Sequence, residues 1–178
     1  MKRQKNLNNL AFSAMFLALA FVMPFLTGQI QQIGNMLCPM HIPVILCGFV
    51  CGAPWGFVVG FIAPFLRSLI LGMPPMYPVA FAMAFELAAY GLFSGILYRA
   101  FPKKKGYIYC TLIISMIIGR LIWGVVQFAC VGLDSAKFGL SAFWAGAVAN
   151  AVPGIILQIV LIPVVVMLFE KTGIIKRK

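Results

Sequence analysis

The polar side chains that are able to bind a ligand stand inside long apolar segments of this chain. Arg120 lies in GRLIWGVVQF (119–128), with apolar runs on both sides and no acidic residue nearby in the sequence. An arginine at the centre of a bilayer costs about 2.5–3.5 kcal/mol on insertion scales. A side chain kept at that cost normally faces a watery cavity, where its guanidinium fork can hold a carboxylate through two charge-assisted hydrogen bonds.

Seven further polar or indole side chains are expected at a similar depth, in the outer half of the membrane. Trp123 and Gln127 follow Arg120 on one helix face, since residues three and four apart are neighbours on a helix. A layer of charges, amides and indoles is typical of a small-molecule pocket, here one that opens outward with the loops 27–35 and 72–78 at its rim. The candidate substrate-binding residues are His41, Arg67, Glu86, Arg120, Trp123, Gln127, Trp144 and Asn150.

Each of these residues also has an explanation that needs no ligand. Arg120 and Glu86 are suited to a structural ion pair, which does not exclude contact with a ligand. His41 is alternatively a hydrogen-bonded packing residue. Trp144 is alternatively an anchor at the membrane interface, and Arg67 a side chain that reaches lipid phosphates. The sequence leaves these alternatives open.

Motifs of enzymes and metal proteins are missing from the sequence. It has no His–Glu–x–x–His, no Gly–x–Ser–x–Gly and no acidic pair for metal-dependent chemistry, and it contains three acidic residues in all. Its five cysteines form neither a disulfide framework nor the spacing of a metal site. We therefore predict no catalytic residue, no metal site and no cofactor. An intramembrane enzyme is less favoured than a stand-alone carrier or channel.

The candidate residues must be positioned by helices that cross a membrane. Hydrophobic residues make up 63% and charged residues 10% of the 178-residue chain, whereas soluble domains average about 25% charged residues. A crossing helix needs about 20 mostly apolar residues. We predict an all-α membrane protein, a single integral domain over 1–178, with six spans at about 9–26, 39–52, 55–71, 78–101, 107–131 and 140–169.

Basic residues decide the orientation of the six spans. Eleven of the 14 lysines and arginines stand before span one, at the end of span four or just after it, or after span six, all on one side. The positive-inside rule puts that side, and with it both termini, in the cytoplasm. The same distribution argues against nucleic acid as the partner of a chain with net charge +11. The basic start also fits a secretory signal, but we expect an uncleaved first helix.

Two stretches of the sequence resemble a known family of membrane proteins. LCPMHIPVILCGFVCGAPWGFVVGFIAPFLRSLILGMPP (37–75) and YPVAFAMAFELAAYGLFSGILY (77–98) are similar to substrate-binding S components of energy-coupling factor (ECF) vitamin transporters. They resemble the broad branch that includes pantothenate-type S components, and length, helix number and basic ends extend the likeness over nearly the whole chain. The family's first helix carries Ala-x-x-x-Ala, which Ala14 and Ala18 match, and Ala11 extends the same face.

The resemblance implies a function and partners. An S component binds a vitamin from outside and docks through its first helices, here at Ala11, Ala14 and Ala18, on the membrane protein EcfT. Two EcfA-type ATPases then power a toppling of the S component that releases substrate inside, which fits a chain without an ATP-binding motif. The expected location is a bacterial plasma membrane. Two pocket arginines against one glutamate favour a small carboxylate such as pantothenate, while folate and precursors of cobalamin or queuosine stay open.

Overall fold

The described parts of the chain are built from helices. The computed structural model describes residues 2–27, 38–102, 104–131 and 152–175, and it contains no strand within those ranges. A 3-10 turn over Met23–Thr27 follows the first helix, and a π-helical turn over Met76–Ala80 precedes the fourth. The helices are α1 (Lys2–Val22), α2 (His41–Cys51), α3 (Ala53–Leu71), α4 (Phe81–Ala100), α5 (Gly106–Val131) and α6 (Val152–Lys171).

Five of the six helices are long and apolar enough to cross a membrane. The prediction of an all-α, multi-pass membrane protein is thereby confirmed. Each predicted span overlaps one of these helices, although the start of the sixth span, 140–151, lies outside the described residues. The cytoplasmic position of both termini stays a prediction.

Helix α2 is the core of the bundle. Ten of its 11 residues are buried, and it packs on α1, α3, α4 and α6. Its sequence HIPVILCGFVC is apolar on nearly every side, which is typical of a helix enclosed by others. At about 16 Å it covers only half of a hydrocarbon core of about 30 Å. Its first residue, His41, therefore lies near the mid-depth of α3 beside it, and not at the outer end of a full span.

Close backbone contacts hold α4 against α3. A Cβ added to Gly56 of α3 would lie 2.5 Å from the carbonyl oxygen of Gly91 on α4, and one added to Gly91 would meet the carbonyl of Gly56. A Cβ on Gly60 would likewise meet the backbone of Leu87, the residue after Glu86. Small residues allow helix backbones in lipid to approach this closely. The junction fixes the height of Glu86 relative to α3.

Candidate functional site

Glu86 on α4 is the centre of a buried polar cluster. Its side chain is 1% exposed, and its Oε1 lies 3.0 Å from Nη1 of Arg120 and 3.5 Å from Nε2 of His41. The same oxygen accepts a hydrogen bond of 2.9 Å from the hydroxyl of Tyr90. Because an unpaired buried ion costs several kcal/mol, these contacts are what allow the carboxylate to stay inside the bundle. The cluster joins α2, α4 and α5.

Helix geometry explains why these side chains meet. The short connection 101–105 makes α4 and α5 antiparallel neighbours. At about 1.5 Å per residue, Glu86 and Arg120 each stand about 21 Å from that connection. Gly119 leaves room for the pair, since a Cβ there would clash with the ring of Tyr90. The two charged side chains therefore face each other at one level.

Arg120 uses only part of its guanidinium to pair with Glu86. While Nη1 faces the carboxylate, Nη2 donates to Sγ of Cys38 at 3.6 Å, and Nε is buried without a hydrogen-bond partner among the described residues. Nε and Nη2 form the side edge of the fork, the geometry that binds carboxylates in a bidentate way. The Arg120 side chain is 17% exposed. One residue thus combines an ion pair with an open donor edge.

Other buried polar atoms on neighbouring helices also have no hydrogen-bond partner within the described ranges. At predicted binding residues they are both ring nitrogens of His41, Oε1 of Gln127 and Nε of Arg67, and elsewhere they are Oγ1 of Thr111 and Oε1 of Gln158. Buried polar groups in folded proteins nearly always find a partner, so such atoms mark where a ligand or water is needed. Gln127 lies about 10 Å above Arg120 along α5. The unpaired atoms of α2 and α5 are consistent with a polar cavity between these helices.

The structure brings three of the eight predicted binding residues into direct contact. His41, Glu86 and Arg120 form one cluster. Trp123 and Gln127 lie half-buried further along α5, and Arg67 lies half-buried in the last part of α3. Arg67 forms no hydrogen bond or ion pair with the cluster in the described part of the chain. Trp144 and Asn150 lie outside the described residues, and contact with a ligand stays a prediction for all eight.

The sequence does not predict Tyr90 and Cys38 as members of the cluster. Tyr90 stands one helical turn after Glu86, and its ring packs on His41 with centroids 5.3 Å apart. The spacing of four residues is the signal that reveals such a pair. Cys38 lies in the turn before α2 with φ 46, and its carbonyl accepts a hydrogen bond of 3.1 Å from the His41 amide. No sequence pattern indicates that contact.

The connection between α3 and α4, one of the two predicted rim loops, is fastened to α5. The hydroxyl of Tyr77 donates a hydrogen bond of 2.7 Å to the carbonyl of Cys130, in the last turn of α5. The part of the connection next to α4 therefore lies beside the last turns of α5, where Gln127 also stands. The other predicted rim, 27–35, lies outside the described residues apart from Thr27.

The alanines of the predicted docking face lie on the outside of the bundle. Ala11, Ala14 and Ala18 are exposed on α1, whereas the opposite side of the helix buries Phe16 and Ala20. None of the other described helices covers the alanines. Within the described ranges nothing blocks a partner helix from this face, and docking itself stays a prediction.

Comparison with known proteins identifies the family. The model of the family "ECF transporter, substrate-specific component" matches residues 8–166, most of the chain. No curated protein and no solved structure matches. The match is to the family as a whole and not to its pantothenate-type branch. Members of the family are transport components, not enzymes. The chain thus belongs to the substrate-specific (S) components of ECF transporters, membrane subunits that work with an ECF module.

Proposed function

We propose that this S component captures a small carboxylate vitamin from outside a bacterial plasma membrane, with pantothenate as the best candidate. It docks on the membrane protein EcfT, and two EcfA-type ATPases power the release of the substrate inside. Family membership supports the role of a substrate-specific subunit. The choice of substrate rests on the polar cluster inside the bundle.

The open edge of Arg120 is the observation that carries this proposal. Nε is buried without a partner within the described ranges, and Nη2 has only the thiol of Cys38 at 3.6 Å. A buried donor left unsatisfied costs about 1–3 kcal/mol. A ligand carboxylate on Nε and Nη2 removes that cost and adds two charge-assisted hydrogen bonds. The contact requires no movement of Glu86, which occupies Nη1.

The rest of the ligand extends along α5. Gln127 offers a buried carbonyl oxygen that has no partner among the described residues, and it suits a hydroxyl or amide N–H of the ligand. Pantothenate carries one carboxylate, one amide and two hydroxyls, so it satisfies Arg120 and Gln127 together. Trp123, between them on α5, supplies an apolar surface. Arg67, Trp144 and Asn150 are proposed for the same pocket on sequence grounds.

The orientation proposed for the protein leaves this pocket accessible from outside. Lys104 and Lys105 are exposed at the α4–α5 connection, which the positive-inside rule assigns to the cytoplasm. Glu86 and Arg120 then stand about 21 Å above that face, in the outer part of the hydrocarbon core. The exposed stripe of Ala11, Ala14 and Ala18 is the proposed contact with EcfT.

Direct binding tests the proposal. Small molecules that co-purify with the protein are identified by mass spectrometry, and pantothenate is titrated calorimetrically into protein in lipid nanodiscs. We expect pantothenate to bind more tightly than pantothenol, its neutral alcohol analogue, because only the carboxylate uses the edge of Arg120. Equal affinities for the two compounds would show that Arg120 does not bind the carboxylate of the ligand. No binding of pantothenate, with a different compound co-purifying, would refute the choice of substrate.

A further inference from the structure

We propose that binding of a substrate carboxylate to this site takes up one proton from water, which His41 and Glu86 then share. The inference rests on the proposed function, because it needs an anionic ligand on Arg120. The reason is the number of carboxylates that the single guanidinium of Arg120 would have to neutralise. The site would then bind two species, the substrate and a proton.

Two carboxylates would share the Arg120 guanidinium in the bound state. Glu86 keeps Nη1 at 3.0 Å, and the substrate takes the side edge formed by Nε and Nη2. Before binding, the charges of Arg120 and Glu86 cancel. Arg67, which is proposed for the same pocket, forms no hydrogen bond or ion pair with the cluster in the described part of the chain. After binding, the cluster therefore carries one net negative charge, and an uncompensated charge inside a protein is costly.

His41 is placed to offset that charge. Its Nε2 lies 3.5 Å from Oε1 of Glu86, its side chain is 4% exposed, and neither ring nitrogen has a hydrogen-bond partner among the described residues. Without substrate, a neutral imidazole adds no unpaired charge to the balanced pair. With substrate, a proton on Nε2 restores neutrality and donates directly to Oε1 of Glu86. Histidine is the side chain that ordinarily changes its charge near neutral pH.

The remaining groups around His41 do not provide a better site for the proton. Tyr90 on α4 already donates to Oε1 of Glu86, and Cys38 accepts a hydrogen bond from Nη2 of Arg120. Cys47 and Cys51 follow His41 on α2 itself, toward its other end.

Within the described ranges, no titratable side chain on α1, α3 or α6, the other helices that pack on α2, forms a hydrogen bond or ion pair with His41. The described side chains of α1 include no titratable group. On α3, Arg67 lies about 21 Å from the α2–α3 turn, whereas His41 lies about 15 Å from it. On α6, Glu170 and Lys171 lie at the opposite end of the bundle, where Glu170 accepts a hydrogen bond from Tyr98. Among the described residues, His41 and Glu86 are therefore the groups that are placed to hold the added proton.

Proton uptake predicts the direction in which the substrate affinity changes with pH. Because the complex holds one more proton than the free protein and free carboxylate, the affinity rises as pH falls, by up to about tenfold per pH unit. The rise ends where the free protein already holds this proton, because binding then takes up no further proton. The affinity falls again where the substrate carboxylate itself becomes protonated, at about pH 4–5. A neutral ligand that lacks the carboxylate adds no charge to the cluster and should bind without this pH dependence.

Calorimetric titration in several buffers tests the inference. Pantothenate is titrated into the nanodisc-embedded protein between pH 6 and 8.5, in buffers that differ in their enthalpy of ionisation, so that the slope gives the protons taken up. We expect a maximum near one proton for wild type. His41→Gln should bind more weakly with uptake near zero, and pantothenol should give none. Tyr98→Phe, on the same helix as Glu86 but at its other end, should match wild type.

Each result is decisive. Pantothenate binding by wild type without proton uptake at any of these pH values overturns the inference and leaves the proposed function intact. Undiminished uptake in folded His41→Gln overturns the role of His41. If that variant does not fold, the wild-type buffer series and its pantothenol control still decide whether a proton is bound. Absence of pantothenate binding refutes the proposed substrate and the inference together.

Discussion

Arg120 and Glu86 form a buried ion pair in which Nη1 and Oε1 are 3.0 Å apart. The pair fulfils one of the two alternatives that the sequence leaves open for Arg120. It does not exclude the other, because Glu86 contacts Nη1, whereas Nη2 donates to Sγ of Cys38 and Nε has no partner in the described part of the chain. A structural role and a ligand-binding role therefore concern different edges of the same guanidinium.

Replacement of Arg120 should separate these two roles. Arg120→Met removes the donor edge, and the loss of charged hydrogen bonds should weaken pantothenate binding about 30- to 150-fold, or roughly 2–3 kcal/mol. Arg120→Lys keeps the charge without the fork, so it should recover only part of the affinity. Calorimetric titration of both variants measures these losses.

The stability of the same variants reports on the ion pair. Arg120→Met leaves the Glu86 carboxylate without its cation, which should cost about 3–5 kcal/mol and lower the melting temperature. Adding Glu86→Gln removes the stranded charge and should restore much of the melting temperature but not the affinity. A double variant with nearly wild-type affinity would show that Arg120 does not touch the ligand.

The exposed alanines of α1 should be required for docking and not for ligand binding. Ala14→Trp or Ala18→Trp should abolish co-purification with EcfT and uptake by cells, because a bulky side chain prevents close helix approach. Pantothenate binding by the isolated variants should persist. Leu19→Trp is a matched control, since Leu19 is 42% exposed on the same helix but outside the alanine stripe. Equal loss of binding in the alanine variants would show that this face packs inside the protein.

The orientation of the bundle predicts which ends react with an impermeant thiol reagent. A cysteine at Lys104 should stay unlabelled in intact cells and react once the membrane is permeabilised, because the α4–α5 connection is predicted to be cytoplasmic. A cysteine at Met73, 46% exposed at the opposite end of the bundle, should react in intact cells. The parent protein with its native cysteines gives the background. Labelling of position 104 from outside would reverse the orientation and the access route to the pocket.

The junction of α3 and α4 should tolerate no side chain. Gly91→Ala places a methyl group against the backbone of Gly56, and overpacking of this kind costs about 1–3 kcal/mol. Gly106→Ala is the matched control, because nothing lies within 4 Å of a Cβ at that position. The melting temperature should fall for the first variant and stay or rise for the second. A similar response from both would mean that the contact does not limit stability.

The helices and the ion pair are predictable from the sequence, whereas the depth of α2 is not. The chain has very few charged residues within its long apolar runs. Arg120 and Glu86 therefore have few possible partners other than each other. His41 is different, because the range 39–52 looks like a short crossing helix with His41 at its outer end. Its true level is set by the packing of α2 on four neighbours, which no local pattern encodes. Tyr90 stands four residues after Glu86, a spacing that indicates neighbours on a helix face. A tyrosine among alanines and leucines is equally typical of a core, so the spacing alone does not assign Tyr90 to the cluster.

The short central helix acts as a floor beneath the ligand. From His41 to Cys51, α2 fills with close-packed side chains the half of the proposed pocket axis that is predicted to be cytoplasmic, over about 15 Å. A molecule held on Arg120 has this plug between it and the α2–α3 turn. Passage straight through the bundle would require extraction of its most buried helix. Reorientation of the whole bundle in the membrane would leave α2 in place. We therefore expect release by reorientation of the bundle and not by passage through a channel along its axis.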